Sequence, residues 1–277
     1  MNEIKLVAFD LDFTLLDKDK KISDENIEAL KYAKEHGIYI VPCTGRLFDN
    51  IPPILKELCR YFILVNGATI YDSLNDTYLY DVNIPKDLAL DIYSYGDTLP
   101  IVYDAYIDNH GYMSANHYDT MFDYLPDKNY AKTMKIKRTP VPELKAFISE
   151  KNTDVQKIQY YFKSQREREI QIEMLKEKYP GLLYISTSLQ SNIEINIADA
   201  VKCKALKKMC DILNIDIANA VAFGDGTNDL PMIKDAGIGV CMCNGAESCL
   251  NAADIITEYD CNNSGFGREL MKLINYQ

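Results

Sequence analysis

Short apolar runs alternate with helical patterns at both ends of this chain, and that alternation limits the folds available to it. Near-continuous apolar strands that alternate with helices are typical of a parallel sheet covered on both faces. In the first part of the chain the runs of strand length are residues 4–9, 38–41 and 61–65. Residues 24–36 carry apolar side chains at helical spacing, with Ser23 or Asp24 as the predicted N-cap and Gly37 as the stop.

The pattern changes between about residues 82 and 196, where apolar and polar residues alternate. This alternation predicts half-exposed antiparallel strands, with helical stretches between them. From Lys202 the first pattern returns and continues to a final helix near 266–274. We therefore predict a Rossmann-like α/β core with helices on both faces of a parallel sheet, formed by residues 1–81 and 197–277. The inserted module at 82–196 is predicted to be an α+β domain.

Composition excludes several kinds of partner. The 30 basic and 41 acidic residues give a formal net charge of -11, which disfavours nucleic acid and anionic membranes.

No run approaches the length of a membrane-spanning helix, and the first residues lack the basic region of a signal peptide. Eight cysteines without a Cys-x-x-Cys pair predict reduced thiols in a cytoplasmic protein, and a zinc site at Cys241 and Cys243 is disfavoured. The net charge of -11 would also repel a phosphorylated ligand unless a cation is bound near the ligand site.

Two carboxylates follow the first strand, in the segment Asp10-Leu-Asp-Phe-Thr. Ligands bind at the carboxyl ends of the strands in a parallel sheet, and residues two apart on a strand share a face. Asp10 and Asp12 therefore either share a cation or have a raised pKa. A helix cap and an exposed turn are the alternative for either residue taken alone.

A second carboxylate pair makes that alternative less favourable. Asp225 and Asp229 lie in Gly-Asp-Gly-Thr-Asn-Asp, which also follows an apolar strand and precedes a helix. With Asp10 and Asp12 they would form an oxygen-rich site of the kind that holds Mg²⁺. A flexible turn with capping residues is the competing interpretation.

Three further residues could bind an anion at this edge of the sheet. Thr44 and the backbone of Gly45 follow the strand at 38–41, and Lys202 begins a helical stretch before the Gly-Asp-Gly turn. Each signal is weak alone, since Thr-Gly turns are common and a single lysine is usually a solvated surface residue.

In this order, the motifs Asp-x-Asp-x-Thr, Thr-Gly-Arg, Lys and Gly-Asp-Gly-x-Asn-Asp resemble those of the haloacid dehalogenase-like phosphatases. The chain is most similar to the Cof-type subgroup, in which a large α/β cap is inserted between the second and third motifs. The segments Val65–Ala68 and Gly239–Ala246 also resemble that subgroup. The insert at 82–196 matches the cap in size and position only.

The resemblance implies a Mg²⁺-dependent phosphatase that acts on small phosphorylated metabolites, such as a sugar phosphate or a phosphorylated cofactor. Asp10 would be the nucleophile that forms an aspartyl-phosphate, and Asp12 the general acid and base. Mg²⁺ would be held by Asp10, Asp225, the main-chain carbonyl of Asp12 and, directly or through water, Asp229. The phosphate would be bound by Thr44, Gly45, Lys202 and Asn228.

The chain departs from the family pattern at two glycine positions. Phe13 stands where Gly is common in the first motif, and Cys203 replaces a Gly after the motif lysine, which leaves Lys204 as the alternative to Lys202. Arg46 is predicted to contact the substrate, and His110 and His117 of the insert are weaker candidates.

Two other functions share these motifs. A phosphomutase would use the same aspartyl-phosphate and return the phosphate to its substrate. A non-catalytic sensor would bind a phosphorylated ligand without turnover, although retention of both Asp10 and Asp12 disfavours it. The sequence leaves the particular substrate and the oligomeric state open.

Overall fold

The computed structural model describes residues 3–125 and 128–275. The chain forms two compact units, one from the described residues of 1–81 and 200–277 and the other from those of 82–199. The strands are β1 (Leu6–Phe9), β2 (Tyr39–Pro42), β3 (Tyr61–Leu64), β4 (Thr69–Asp72), β5 (Thr77–Asp81), β6 (Val102–Ile107), β7 (His110–Ser114), β8 (Thr139–Val141), β9 (Lys157–Tyr161), β10 (Leu183–Ser186), β11 (Asn192–Ile197), β12 (Ala220–Gly224), β13 (Ile238–Cys241) and β14 (Ile255–Ile256). The α-helices are α1 (Asp24–Glu35), α2 (Pro53–Leu58), α3 (Lys86–Gly96), α4 (Ala115–Thr120), α5 (Lys128–Ile136), α6 (Leu144–Lys151), α7 (Gln165–Lys178), α8 (Lys202–Leu213), α9 (Leu230–Asp235), α10 (Glu247–Leu250) and α11 (Gly265–Asn275).

The first unit is built on a five-stranded sheet in the order β14-β13-β12-β1-β2, and every neighbouring pair is parallel. The interior strand β1, which lies between β12 and β2, is buried along its whole length because both faces are covered. Leu6 and Ala8 belong to a core cluster with Leu206 of α8. On the other face Phe9 packs against Phe266 of α11, with ring centroids 5.2 Å apart. The predicted α/β fold with a parallel sheet is confirmed.

The third apolar run does not extend this sheet as predicted. It forms β3, which pairs antiparallel with β4, and β4 pairs antiparallel with β5. An isolated parallel bridge between Cys43 and Ile63 is what links β3 to the end of β2. The chain reverses after β3 because Val65 and Asn66 both adopt positive φ angles, of 52° and 62°, which return it beside the strand it has just left.

The second unit contains a six-stranded sheet in the order β10-β11-β9-β6-β7-β8, antiparallel except for the β7–β8 pair. One apolar face of this sheet packs against α3, α6 and α7. The boundary that the sequence places at 196 falls inside β11, which runs to Ile197. The NH of Ala198 then donates to the carbonyl of Leu182, so the unit continues to Asp199.

The helices follow the sequence patterns with one interruption. Residues 47–58 have a helical pattern that Pro52-Pro53 interrupts, and they form a 3₁₀ turn at Phe48–Asn50 and the short helix α2, which begins at Pro53. The cause is Pro52-Pro53, since proline lacks the NH that a helix interior requires and restricts the residue before it. Ser23 caps α1 by accepting a hydrogen bond from the NH of Asn26. Within 3–125 and 128–275, none of the helices combines the length and the apolar character needed to cross a bilayer.

Candidate active site

Asp10 directly follows β1, at the carboxyl end of that strand in the parallel sheet of the first unit. Its NH donates to the carbonyl of Phe223 in β12, at 3.0 Å. Because β2, β1 and β12 run in the same direction, the segments that follow them meet at one edge of the sheet. Thr44 follows β2, and Asp225 follows β12. The structure therefore brings three of the predicted motifs together.

Lys202, the third motif, contacts residues of both the first and the fourth motif. Its Nζ lies 2.6 Å from Oδ1 of Asp10 and 2.6 Å from Oδ1 of Asp229, and its side chain is fully buried. Burial alone would lower the pKa of Lys202, but the charges of Asp10 and Asp229 outweigh it and hold this pKa well above its ordinary value. These two carboxylates therefore favour the charged form of the buried Lys202 side chain. Of the two candidate lysines, Lys202 is the one with a contact to Asp10, and its role in binding phosphate stays a prediction.

Three carboxylates can converge on one cation. Asp10, Asp225 and Asp229 each offer an oxygen, and these oxygens lie within 4.8 Å of one another. Burial raises the pKa of Asp10 to about 8, with Lys202 offsetting part of the rise and the neighbouring carboxylates adding to it. Burial and the charge of Asp229 likewise raise the pKa of Asp225 to about 7. Carboxylates whose pKa values are raised by one another's charge can be stabilised in the ionised form by a bound cation. Three carboxylate oxygens are ligands that suit a hard divalent cation, so the donor set fits such an ion.

The third carboxylate, that of Asp229, is oriented by the turn that carries it. Its Oδ2 accepts hydrogen bonds from the NH groups of Asp225 and Gly226, at 3.0 and 2.9 Å. A Cβ on Gly224 would lie 2.4 Å from the Cβ of Asp229, so only glycine allows this close approach. Asn228 is half-buried in the same turn, and a Cβ on Gly226 would lie 2.5 Å from its Oδ1. Its contact with a phosphate stays a prediction.

Thr14 is a site residue to which the sequence analysis gave no role. Its hydroxyl donates to Oδ1 of Asp225 at 2.7 Å, and its side chain is fully buried. The contact joins the first motif to the fourth across 211 residues. The sequence contains this residue as the Thr of the Asp-x-Asp-x-Thr motif. Motif spacing alone does not show that its hydroxyl contacts Asp225.

Asp12 is not a member of the three-carboxylate group and pairs instead with two cations. Its two oxygens accept hydrogen bonds from Nε and Nη2 of Arg46, at 2.8 and 2.7 Å, and the Nζ of Lys20 lies 2.8 Å from Oδ1. Burial would raise the pKa of Asp12, but the Arg46 hydrogen bonds and the charges of Arg46 and Lys20 lower it to about 2. Arg46 also donates to the carbonyl of Asn50, at 3.1 Å. The residue predicted to contact the substrate is thus paired with the predicted general acid.

Thr44 and Gly45 form the turn after β2. Thr44 is buried, and its hydroxyl accepts a hydrogen bond from the NH of Arg46 at 3.3 Å. A Cβ on Gly45 would lie 2.7 Å from Oδ1 of Asn66, so a larger residue would displace that amide. The geometry places this turn at the site edge, and phosphate binding by Thr44 and Gly45 stays a prediction.

The cysteines and the two candidate histidines do not belong to the set of carboxylates that can share a cation. All eight cysteines are free thiols. In the ranges 3–125 and 128–275, the groups of potential metal ligands consist of the Asp10, Asp225 and Asp229 set alone, which does not include Cys241 or Cys243. His110 and His117 belong to the second unit, in β7 and α4.

Comparison with known proteins agrees with the motifs. The chain matches the family of haloacid dehalogenase-like hydrolases over residues 7–270. It is 31% identical over 260 residues to the 5-amino-6-(5-phospho-D-ribitylamino)uracil phosphatase YcsE of Bacillus subtilis, covering 92% of this chain and 90% of that protein. It is 29% identical to the Bacillus subtilis phosphatase YwpJ, covering 92% and 94% of the two chains.

The fold has the same relatives. A solved haloacid dehalogenase-like hydrolase from B. subtilis superposes with a TM-score of 0.83 at 26% identity, covering 98% of this chain and all of that one. The predicted resemblance is therefore confirmed over nearly the whole sequence. The chain is an enzyme of the haloacid dehalogenase-like hydrolase family.

Proposed function

We propose that this enzyme is a Mg²⁺-dependent phosphatase that hydrolyses small phosphorylated metabolites through an aspartyl-phosphate on Asp10. The observation that carries the proposal is the placement of Lys202 between Asp10 and Asp229, with Asp225 close enough to share a cation. Buried carboxylates, one fixed cation and room for a second positive charge together suit a phosphoryl group in transfer.

Asp10 supplies the nucleophilic oxygen. Its carboxylate attacks phosphorus while the leaving alkoxide departs, and water then hydrolyses the acyl phosphate and regenerates the carboxylate. Mg²⁺ held by Asp10, Asp225 and Asp229, with the main-chain carbonyl of Asp12, would neutralise phosphoryl charge and keep Asp10 ionised. Lys202 adds a fixed positive charge beside the same oxygens, and Thr44, Gly45 and Asn228 complete the proposed phosphate contacts.

Asp12 acts as the general acid and then as the general base. In the first step it gives a proton to the leaving oxygen, and in the second it accepts one from the attacking water. Its pKa of about 2 suits the second role, because the carboxylate is ionised while Arg46 and Lys20 contact it. The first role requires that a bound substrate replace at least one of these cations at Asp12, which would let the carboxyl carry a proton.

The proposed substrate is a phosphomonoester of a small polyol, sugar or cofactor precursor. Support comes from the relative at 31% identity, whose name specifies a phosphoribitylamino-uracil, a polyol phosphate attached to a pyrimidine. Reduced, unpaired thiols are consistent with the expectation of a cytoplasmic enzyme.

Phosphate release from an aryl phosphate tests the activity. Purified protein should release phosphate with Mg²⁺ present, chelator should abolish the release, and Asp10→Asn should lower kcat by at least about a thousandfold. Asp211→Asn, at an exposed position on α8, is the matched control and should retain activity. Wild-type turnover by Asp10→Asn would refute the nucleophile assignment. Conversion of a hexose phosphate to an isomer without phosphate release would identify a mutase instead.

A further inference from the structure

Phe13 and Lys20 form a contact beside Asp12 that the proposed mechanism does not use. The Lys20 Nζ lies 3.9 Å from the centre of the Phe13 ring and 2.8 Å from Oδ1 of Asp12. A cation over an aromatic face is attracted by the ring quadrupole, so the two contacts fix the ammonium between ring and carboxylate. The Phe13 side chain nevertheless remains 45% exposed.

The backbone holds both residues in an unusual conformation. Phe13 has φ of 64° and Lys20 has φ of 62°, in the left-handed region that favours glycine. The NH of Phe13 donates to the carbonyl of Leu16, and Asn244 donates to the carbonyl of Phe13 at 2.9 Å. The NH of Lys20 donates to the carbonyl of Asp17 at 3.0 Å. A large apolar ring is thus kept at the surface in a conformation unfavourable for it, a pattern found at ligand-contacting positions.

The two cations at Asp12 differ in how firmly they are held. Arg46 makes a two-pronged contact with Asp12 and also donates to Asn50, and its side chain is 22% exposed. Lys20 contacts one oxygen that Arg46 already contacts, and its side chain is 44% exposed. Lys20 can therefore exchange its partner for a ligand group at smaller cost than Arg46 can.

The positive charge of Lys20 favours an anionic ligand group. The single carboxylate of Asp12 contacts two cations, so it can balance the charge of one of them and leaves Lys20 suited to a second anionic partner. If Asp12 protonates the leaving oxygen, as the proposed function requires, then an ammonium 2.8 Å from its carboxylate lies beside the leaving group. We propose that Lys20 and Phe13 select leaving groups that carry an additional anionic group on a ring-shaped or apolar skeleton, with Lys20 binding the anion and Phe13 packing on the skeleton.

Binding of a matched pair of non-hydrolysable ligands tests the proposal. Benzylphosphonate and 4-carboxybenzylphosphonate share the phosphonate and the ring, and differ by one carboxylate. Calorimetry with Mg²⁺-loaded wild-type enzyme should show about tenfold tighter binding of the carboxylated ligand, the gain of one charge-assisted contact. Lys20→Met should remove this preference and leave the Kd of benzylphosphonate within about twofold of wild type. Phe13→Leu should weaken both ligands by similar factors and keep the preference, since a flat ring face is lost.

Lys21→Met, an exposed lysine of the same turn, is the control and should behave as wild type. Absence of any preference in the wild type would overturn the proposal. A preference that persists in Lys20→Met, or an equal loss of both ligands in that variant, would overturn it too. Because binding does not depend on turnover, failure here is distinguishable from failure of the phosphatase proposal, which aryl phosphate hydrolysis tests separately.

Discussion

The ammonium of Lys202 lies 2.6 Å from a carboxylate oxygen of Asp10, although 192 residues separate them in sequence. The inserted second unit accounts for most of that separation, so the contact forms only when both halves of the first unit have joined the same sheet. The pair is buried, and Asp229 shares the same ammonium. Several consequences can be measured.

Loss of the Lys202 charge should destabilise the protein and abolish activity. Lys202→Met leaves Asp10 and Asp229 without their buried cation, a change that costs about 3–5 kcal/mol of the free energy of unfolding. Urea denaturation measures this loss, and aryl phosphate hydrolysis measures the accompanying loss of kcat. Lys208→Met, an exposed position on the same helix, should change the free energy of unfolding by less than about 0.5 kcal/mol. Equal stability of the two variants would contradict the importance of the buried pair.

Metal-free protein should lose stability as the pH rises. The pKa of Asp10 is about 8 in the folded protein and 3.8 as its ordinary value, so the folded state binds more protons between these values. The contribution of Asp10 is fully present below pH 4 and is lost as the pH passes through 8. Thermal unfolding of wild type and Asp10→Asn in chelator measures it as the difference between the two proteins. That difference should grow with pH, and added Mg²⁺ should raise the Tm of the wild type more at pH 8 than at pH 5. A wild-type curve parallel to that of Asp10→Asn would be inconsistent with a raised pKa.

Removal of Arg46 should raise the pKa of Asp12. The guanidinium hydrogen bonds and charge lower this pKa to about 2 against the effect of burial, so Arg46→Met should raise it by at least about one unit. A carbon-detected NMR titration of the Asp12 carboxyl group measures the change. The matched control is Arg60→Met, which removes the cation paired with Asp72 in the same unit and should leave Asp12 unaffected. An unchanged Asp12 titration in Arg46→Met would mean that another group holds the carboxylate ionised.

The hydroxyl of Thr14 should support metal binding through Asp225. Thr14→Val keeps the shape of the side chain but removes the 2.7 Å hydrogen bond, and should weaken Mg²⁺ binding about tenfold, as loss of an outer-shell contact to a ligand does. Calorimetric titration of the metal-free protein with Mg²⁺ gives the Kd directly. Thr14→Ser retains the hydroxyl and should remain close to wild type. If the serine variant loses as much affinity as the valine variant, packing rather than the hydrogen bond is responsible.

Many of the strands and helices could be predicted from the sequence because each depends on a local pattern of apolar and polar residues. The apolar run ending at Phe9 and the helical stretch from Lys202 predict their elements directly, and α8 begins at the expected residue, Lys202. Pairing of the third run was not readable, because Val65 and Asn66 adopt positive φ angles that no pattern of apolar residues announces. A β-hairpin formed where the pattern suggested another parallel strand.

The motifs in the sequence identify the chemical groups of the site and the element ends that carry them, which are strand ends for Asp10 and Asp225 and the start of a helix for Lys202. The pairing of these groups follows from the folded structure and is not contained in the motifs. Asp12 turns from the other carboxylates to Arg46, while Thr14 reaches Asp225 across the sheet edge. The physical reason is that motif spacing fixes the position of a residue along a strand or helix, whereas its ion-pair partner depends on distances of a few ångströms between distant segments. Those distances exist only after the sheet has formed and its edge has been buried.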